Sequence, residues 1–326
     1  MLKVGVIGTG LMGSGHARNI DKFVLDASVV ALSDLNTVSM QALSEELGTV
    51  KSTYQNPEDL INDDEVDAIV IASPDSLHPA HIRMVLGSGK QALCEKPLAV
   101  NLEEAKTIAS EISSVETELG RRLISFGFQR RFDPAYKEVR RLLRSGNFGN
   151  ALFVRAITRN VKSTDITTPQ MYSNIAIHDF DIYRWLFESN WVDVQTHSCR
   201  SSSLTQPGLK DPLLFSAYLD NGIVLMADIV AFNNYGYDAR FEVVCERGSI
   251  EVGIFGDVIQ RVDFKADSAQ GGNLAQNWMV RSRDAYIQEV IAWSNQVTSG
   301  VINQDLASVA DALAANVASE MGIQSL

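Results

Sequence analysis

A chain of 326 residues with 45% hydrophobic and 21% charged side chains is long enough to bury two domain cores. Its net charge of -12 repels phosphate backbones and anionic lipid, which sets nucleic acid and membrane surfaces aside as partners. No apolar run approaches the roughly 18 residues that cross a bilayer. Cys94, Cys199 and Cys245 are far apart and form no CxxC pair, so no disulfide framework, no metal site and a reducing, cytoplasmic setting are expected.

The N-terminus runs directly into an apolar strand, Leu2 to Ile7, and a helix is expected near Gly13 to Asp21. A strand over Ser28 to Ser33, a helix over Thr37 to Leu47 and a strand over Val66 to Ala72 follow. Next come a helix from His78 to Ser88 stopped by Gly89, a strand over Gln91 to Cys94, and a helix capped by Asn101 with Glu103 and Glu104 in its first turn. Leu123 to Phe128 reads as the last strand of this set. Such alternation predicts a doubly wound parallel α/β sheet.

From about residue 151 the pattern turns to longer strands: Ala151 to Thr158, Val192 to Cys199, Leu213 to Leu219, Ile223 to Ala231, Phe241 to Cys245 and Ser249 to Ile254. Asn221-Gly222 signals a type I′ hairpin. A mostly antiparallel, open sheet is expected, interrupted by one helix around Ile175 to Phe187 and closed by helices near Arg283 to Val297 and Gln304 to Met321. The domains are accordingly set at residues 1–122 and 123–326, with the last helices able to pack back on the first domain.

Gly8-Thr9-Gly10-Leu11-Met12-Gly13 fits GxGxxG between a strand and a helix. That context makes it a dinucleotide turn in which Gly8, Gly10, Leu11, Met12 and Gly13 meet the pyrophosphate at a helix N-terminus. Asp34 ends the next strand, where the fingerprint wants a carboxylate for the ribose hydroxyls. A carboxylate there repels a 2′-phosphate, so NAD is expected ahead of NADP. Ser73 and His78 follow the strand Val66 to Ala72, in the crevice beyond the strand ends, and are candidate cofactor contacts.

Cys94-Glu95-Lys96-Pro97 ends another strand, which points Lys96 at the same crevice. In Asn174-Ile175-Ala176-Ile177-His178-Asp179-Phe180-Asp181, spacings of three and four put Asn174, His178, Asp181 and Trp185 near one helix face. Gly8 to Gly13, Glu95-Lys96-Pro97, Gly127-Phe128-Gln129-Arg130-Arg131-Phe132-Asp133 and Ile177-His178-Asp179 together resemble the oxidoreductase family of glucose-fructose oxidoreductase, inositol dehydrogenase and MocA (Gfo/Idh/MocA). The last two segments are similar to inositol dehydrogenases in particular.

The resemblance implies an NAD-dependent dehydrogenase of ring polyols or sugars, in homo-oligomers that are commonly dimers or tetramers. It also implies that Lys96 binds the reacting oxygen, that Glu95 and Lys96 border the cofactor, and that His178 is the catalytic histidine. Gln129, Arg130, Asn174 and Tyr235 are the further candidate substrate contacts, with Asn160 and Lys162 behind them and Trp278 and Arg283 as residues that could close over the cofactor. Asn174 stands where the resembling enzymes often carry aspartate, and asparagine can orient an imidazole but brings no charge. Which of Lys96 and His178 takes the hydroxyl proton stays open. Two alternatives share the fold: an NAD-dependent glycosidase and a non-catalytic NAD or sugar sensor.

Overall fold

In the computed structural model, which describes residues 1–161, 165–253 and 274–326, the alternating first part forms β1 (Leu2–Ile7), α1 (Leu11–Phe23), β2 (Ala27–Ser33), α2 (Thr37–Leu47), β3 (Ser52–Tyr54), α3 (Pro57–Ile61), β4 (Ala68–Ile71), α4 (His78–Ser88), β5 (Gln91–Glu95), α5 (Leu102–Leu119) and β6 (Ile124–Gly127). The sheet order is β3-β2-β1-β4-β5-β6, and every neighbouring pair is parallel. Buried on both faces, its strands are continuous apolar runs; all seven residues of β2 are buried. The order reverses between β1 and β4, which opens the crevice where such sheets bind ligands. The Asn101 side chain accepts the Glu104 N–H at 2.9 Å, capping α5 as its sequence implies.

The second part contains α6 (Pro134–Arg144), β7 (Ala151–Val161), α7 (Thr168–Gln170), a wide π-type turn over Met171–Ala176, α8 (Ile177–Phe187), β8 (Trp191–His197), β9 (Leu213–Leu219), β10 (Val224–Asn233), β11 (Asp238–Cys245), β12 (Gly248–Val252) and α9 (Trp278–Arg281). The sheet runs β12-β11-β7-β10-β9-β8 and is antiparallel except where β10 lies parallel to β7. Alternate residues of β10, Leu225, Ala227, Ile229 and Ala231, are buried, while Met226 is 54% exposed, so one face of this sheet is packed. The chain ends with α10 (Arg283–Ser299) and α11 (Val309–Gln324).

Two compact units result: Met1–Phe132 with Asp284–Asn316, and Asp133–Arg283 with Val317–Leu326. The first unit continues past the expected boundary at residue 122 because β6 hydrogen-bonds beside β5. Its core joins the parallel sheet to Trp293, Val290 and Leu306 from near the C-terminus. The core of the second unit is aromatic, with Phe180 stacked near Tyr172 and edge-on to Trp191, and Phe215 between them.

The structure differs from the sequence expectations at several places. The β9–β10 connection is not type I′: Gly222 alone has a positive φ (87°) and Asn221 does not, and the Gly222 N–H reaches the Leu219 carbonyl at 3.0 Å. This is a turn of the ordinary hand closed by one left-handed residue, so the hairpin carries a longer loop. Elements β3, α3, α6, α7 and α9 are additional to those expected. For α6 the signal was present in Asp133-Pro134: the carboxylate caps Ala135 N–H at 2.8 Å and the proline occupies the first turn. Ile254, placed at a strand end, and Lys162 lie outside the described residues.

Candidate active site

The glycine turn leaves β1 and enters α1. Gly8 holds φ +93°, and a Cβ there would lie 2.4 Å from the Ala72 carbonyl oxygen, so only glycine fits. A Cβ on Gly13 would lie 1.8 Å from the Gly8 carbonyl oxygen, so this glycine lets the helix seat against the turn. A Cβ on Gly10 would meet nothing within 4 Å, so open space lies beside it. Gly10 is the N-cap of α1 but supplies no side-chain cap, and the first helical turn carries no acid. Leu11 is 62% exposed and Met12 half-buried at this end. Three glycines of these three kinds, around an uncapped positive helix end, fit a dinucleotide pyrophosphate.

Asp34 belongs to the same construction. Its Oδ2 accepts the Thr9 N–H at 2.6 Å and the Thr9 hydroxyl at 2.9 Å, and its Oδ1 accepts the Asn36 N–H at 2.8 Å. Burial pushes this carboxyl up, but the backbone N–H groups of Thr9 and Asn36 outweigh it and hold its pKa below the ordinary value. The carboxylate thus stays ionised beside the glycine turn.

Around Lys96 the structure builds a framework of buried polar bonds. Lys96 is half-buried in the turn that leaves β5. Glu95 is buried, its Oε1 2.7 Å from His16 Nε2 on α1, and its Oε2 accepts the Lys96 backbone N–H at 3.3 Å. Burial raises the Glu95 carboxyl, and the His16 bond together with the charges of His16, Lys96 and His78 more than offsets it, so the pKa is lowered. Across the strand pair, Gly127 faces Glu95, and a Cβ there would come within 3.1 Å of the carboxylate. Beyond Lys96, the Pro97 carbonyl accepts from His78 Nδ1 at 2.8 Å.

Several expected cofactor contacts are therefore occupied otherwise. His78 is fully buried, and its Nε2 faces the Ser73 carbonyl at 3.0 Å while Nδ1 faces Pro97, so neither ring nitrogen is offered to a ligand. The Ser73 hydroxyl lies 2.9 Å from His81 Nδ1, and the Glu95 carboxylate is spent on His16 and Lys96. His16 and His81 were not anticipated. The signal for His16 is its place in the buried series Gly13, His16, Ala17, Ile20: a polar side chain on an apolar helix stripe demands a partner.

Gln129 and Arg130 occupy a tight turn after β6 and are 5% and 6% exposed. Neighbouring Arg131 is a structural residue, 2% exposed and 3.4 Å from Asp311, whose carboxyl is raised by burial but lowered far more by Arg131 and Ser308.

In the second unit, Asn174 lies inside the π-type turn and His178 in the first turn of α8, both half-buried. Asp181 and Trp185 are buried, with Trp185 in the core and stacked under the Arg140 guanidinium at 3.9 Å. The face expected to carry all four residues is thus divided: the first two remain partly accessible and the last two are packed. The π-type turn shifts Asn174 relative to the other three, since it changes the residues per turn just before α8. The Tyr235 hydroxyl meets Arg159 Nη1 at 2.7 Å, and Arg159 in turn binds Asp228, so Tyr235 is held in a surface ion network on the second sheet. Asn160 binds only the adjacent Val161 N–H among the hydrogen bonds shown for it. Trp278 opens α9 and Arg283 opens α10.

A parallel sheet in the order β3-β2-β1-β4-β5-β6, with a glycine cradle at its reversal point and a lysine at the end of β5, defines an NAD-binding oxidoreductase. Comparison with known proteins agrees: residues 2–119 match the oxidoreductase family with an NAD-binding Rossmann fold, and residues 136–251 match the GFO/IDH/MocA C-terminal domain. The chain belongs to the Gfo/Idh/MocA oxidoreductase family, and NAD is its cofactor. It is 35% identical over 300 residues to inositol 2-dehydrogenase 1 of Saccharopolyspora erythraea, covering 92% of this chain and 87% of that protein. Identity to inositol 2-dehydrogenase of Klebsiella pneumoniae is 32%, covering 99% and 93%. Among solved structures, the myo-inositol dehydrogenase of Lactobacillus casei in complex with NAD(H) and myo-inositol superposes with a TM-score of 0.89 at 27% identity, covering 100% of this chain and 94% of that one.

Proposed function

We propose that this dehydrogenase oxidises a ring hydroxyl of an inositol-class polyol, with Lys96 holding the reacting oxygen and His178 taking its proton. The observation that carries the reading is the Lys96 turn: a half-buried ammonium at the carboxyl end of β5, fixed by buried bonds on both sides, beside the crevice that holds the cofactor. Bound nicotinamide supplies the hydride acceptor. Residues of the chain do the remaining work. Lys96 donates hydrogen bonds to the hydroxyl and stabilises the charge that grows on it as the proton leaves. His178 accepts that proton as general base. Asn174 orients without adding charge, and Gln129 and Arg130 offer amide and guanidinium donors to the other ring hydroxyls.

The names borne by the relatives support inositol as the substrate class. We further place the protein in a reducing, cytoplasmic compartment as a homo-oligomer. Three free thiols support the first, and the exposed Leu152 and Met226 on the second sheet support the second. Among the described residues no helix is long and apolar enough to cross a membrane.

The test is NADH formation, with NAD and then NADP, across inositol isomers, aldoses and glycosides. Steady NADH from one ring polyol establishes the substrate. Sugar released from a glycoside without net NADH, or tight NAD binding with no turnover on any compound, overturns the reading. Lys96→Ala is expected to abolish turnover while NAD affinity changes by less than about threefold, a difference under ~1 kcal/mol.

A further inference from the structure

Lysine carries its charge on a flexible four-carbon stem, so its aim depends on how firmly the backbone beneath it is held. In this protein that backbone is bonded from two sides by buried histidines. On one side His16, 1% exposed, rises from α1 and bonds Glu95 Oε1, which leaves Glu95 Oε2 to receive the Lys96 N–H. Gly127 keeps the space that this carboxylate needs. On the other side His78, 0% exposed, bonds the Pro97 carbonyl through Nδ1 and faces the Ser73 carbonyl at the end of β4 through Nε2. The turn that carries Lys96 is thereby tied to the helix that follows the glycine turn and to the neighbouring strand.

We propose that His16 and His78 are positioning residues for Lys96, His16 acting through the Glu95 carboxylate and His78 through the Pro97 carbonyl. The inference rests on Lys96 being the residue that holds the reacting oxygen. Its two anchors use different ring nitrogens, and this gives an atom-specific test. A glutamine amide reaches about as far as a histidine Nε2, and an asparagine amide about as far as Nδ1.

The experiment compares His16→Gln with His16→Asn, and His78→Asn with His78→Gln, beside Lys96→Met as control. His16→Gln and His78→Asn keep the anchoring bond and are expected to hold kcat within about fivefold, whereas His16→Asn and His78→Gln lose it and fall by about a hundredfold, the scale of a 1 Å misplacement. NAD affinity stays level in all four, so the loss falls on kcat. Hydrogen–deuterium exchange on the NAD-free protein gives a second readout: the amides of Glu95, Lys96 and Leu98 exchange faster in His16→Asn and His78→Gln, and at the wild-type rate in the two conservative variants. Should His16→Asn fail to fold, the His78 pair carries the test, because the amide N–H of His78→Gln can donate to the Ser73 carbonyl that Nε2 faces. Equal kcat within each pair, or a reversed order, overturns the proposal. Turnover that survives in Lys96→Met overturns instead the reading of Lys96 on which it rests.

Discussion

Gly10→Ala separates cofactor binding from folding. Gly10 sits at φ -68° and ψ -165°, a conformation alanine adopts without strain, and the added methyl meets no protein atom within 4 Å. Alanine gains about 0.4–1 kcal/mol by restricting the unfolded chain and loses a similar amount, on the order of 0.5–1 kcal/mol, as a poorer N-cap. The melting temperature of the NAD-free protein should therefore move by no more than about 3 °C. The methyl nevertheless fills the space over the first turn of α1, where the N–H groups of Leu11, Met12 and Gly13 precede the first helical bond, from Ser14 to the Gly10 carbonyl. A pyrophosphate pushed back by on the order of 1 Å loses one or two charge-assisted bonds worth about 1.5–3 kcal/mol each, which weakens NAD by roughly ten- to ten-thousandfold. Gly13→Ala provides the contrast: its methyl would sit 1.8 Å from the Gly8 carbonyl oxygen, so the NAD-free protein itself should be destabilised. Calorimetric titration with NAD and thermal melts of both variants measure the two effects. Wild-type NAD affinity in Gly10→Ala would refute the placement of the pyrophosphate over this turn.

Asp34→Ser removes the carboxylate that the Thr9 and Asn36 N–H groups keep ionised. NAD should bind on the order of tenfold more weakly, and the preference over NADP should narrow, read from KM for each cofactor. Asp311→Asn breaks the buried contact with Arg131 and should cost about 3–5 kcal/mol at neutral pH, measured by denaturant unfolding. The folded-state pKa of Asp311 is lowered, so its contribution is present above the unfolded value near 3.9 and disappears as pH falls below it. The gap between wild type and Asp311→Asn should accordingly shrink below about pH 4; a gap as large at pH 3 as at pH 7 contradicts the pairing.

How much of this was legible in the sequence follows from how local each signal is. The cofactor half was legible because its determinants are short and contiguous: an apolar run, three glycines in six residues, and an acid ending the next strand. Both sheets were legible, one from strands alternating with helices and the other from a succession of longer strand runs. Short elements were not, since β3 and α3 span too few residues to show a period. The π-type turn was hidden for another reason. Spacings of three and four put Asn174 in register with His178, Asp181 and Trp185 only if the helix is regular, and the π-type turn that ends at Ala176 takes Asn174 out of that register. Glu95 and His78 were found, but their buried bonds to His16 and to the Pro97 carbonyl were not, because a motif names the residues of a turn without telling which atoms face inward.

That division has a physical basis. A flexible side chain left partly exposed, as Lys96 is, cannot be secured by its own packing; other residues must secure it. Lys96 is half-buried while His16, His78 and Glu95 are buried, and every polar bond shown around the turn goes to its backbone or to the carboxylate next to it. Partners of this kind lie far away in sequence: His16 is separated from Glu95 by 79 positions. Each of them reads, in isolation, as an ordinary polar residue on a helix. Only the strand order, which brings the ends of β1, β4 and β5 side by side, makes them neighbours. The chemistry-bearing residue can thus be read from a local motif, whereas the residues that aim it are visible only after the sheet is assembled.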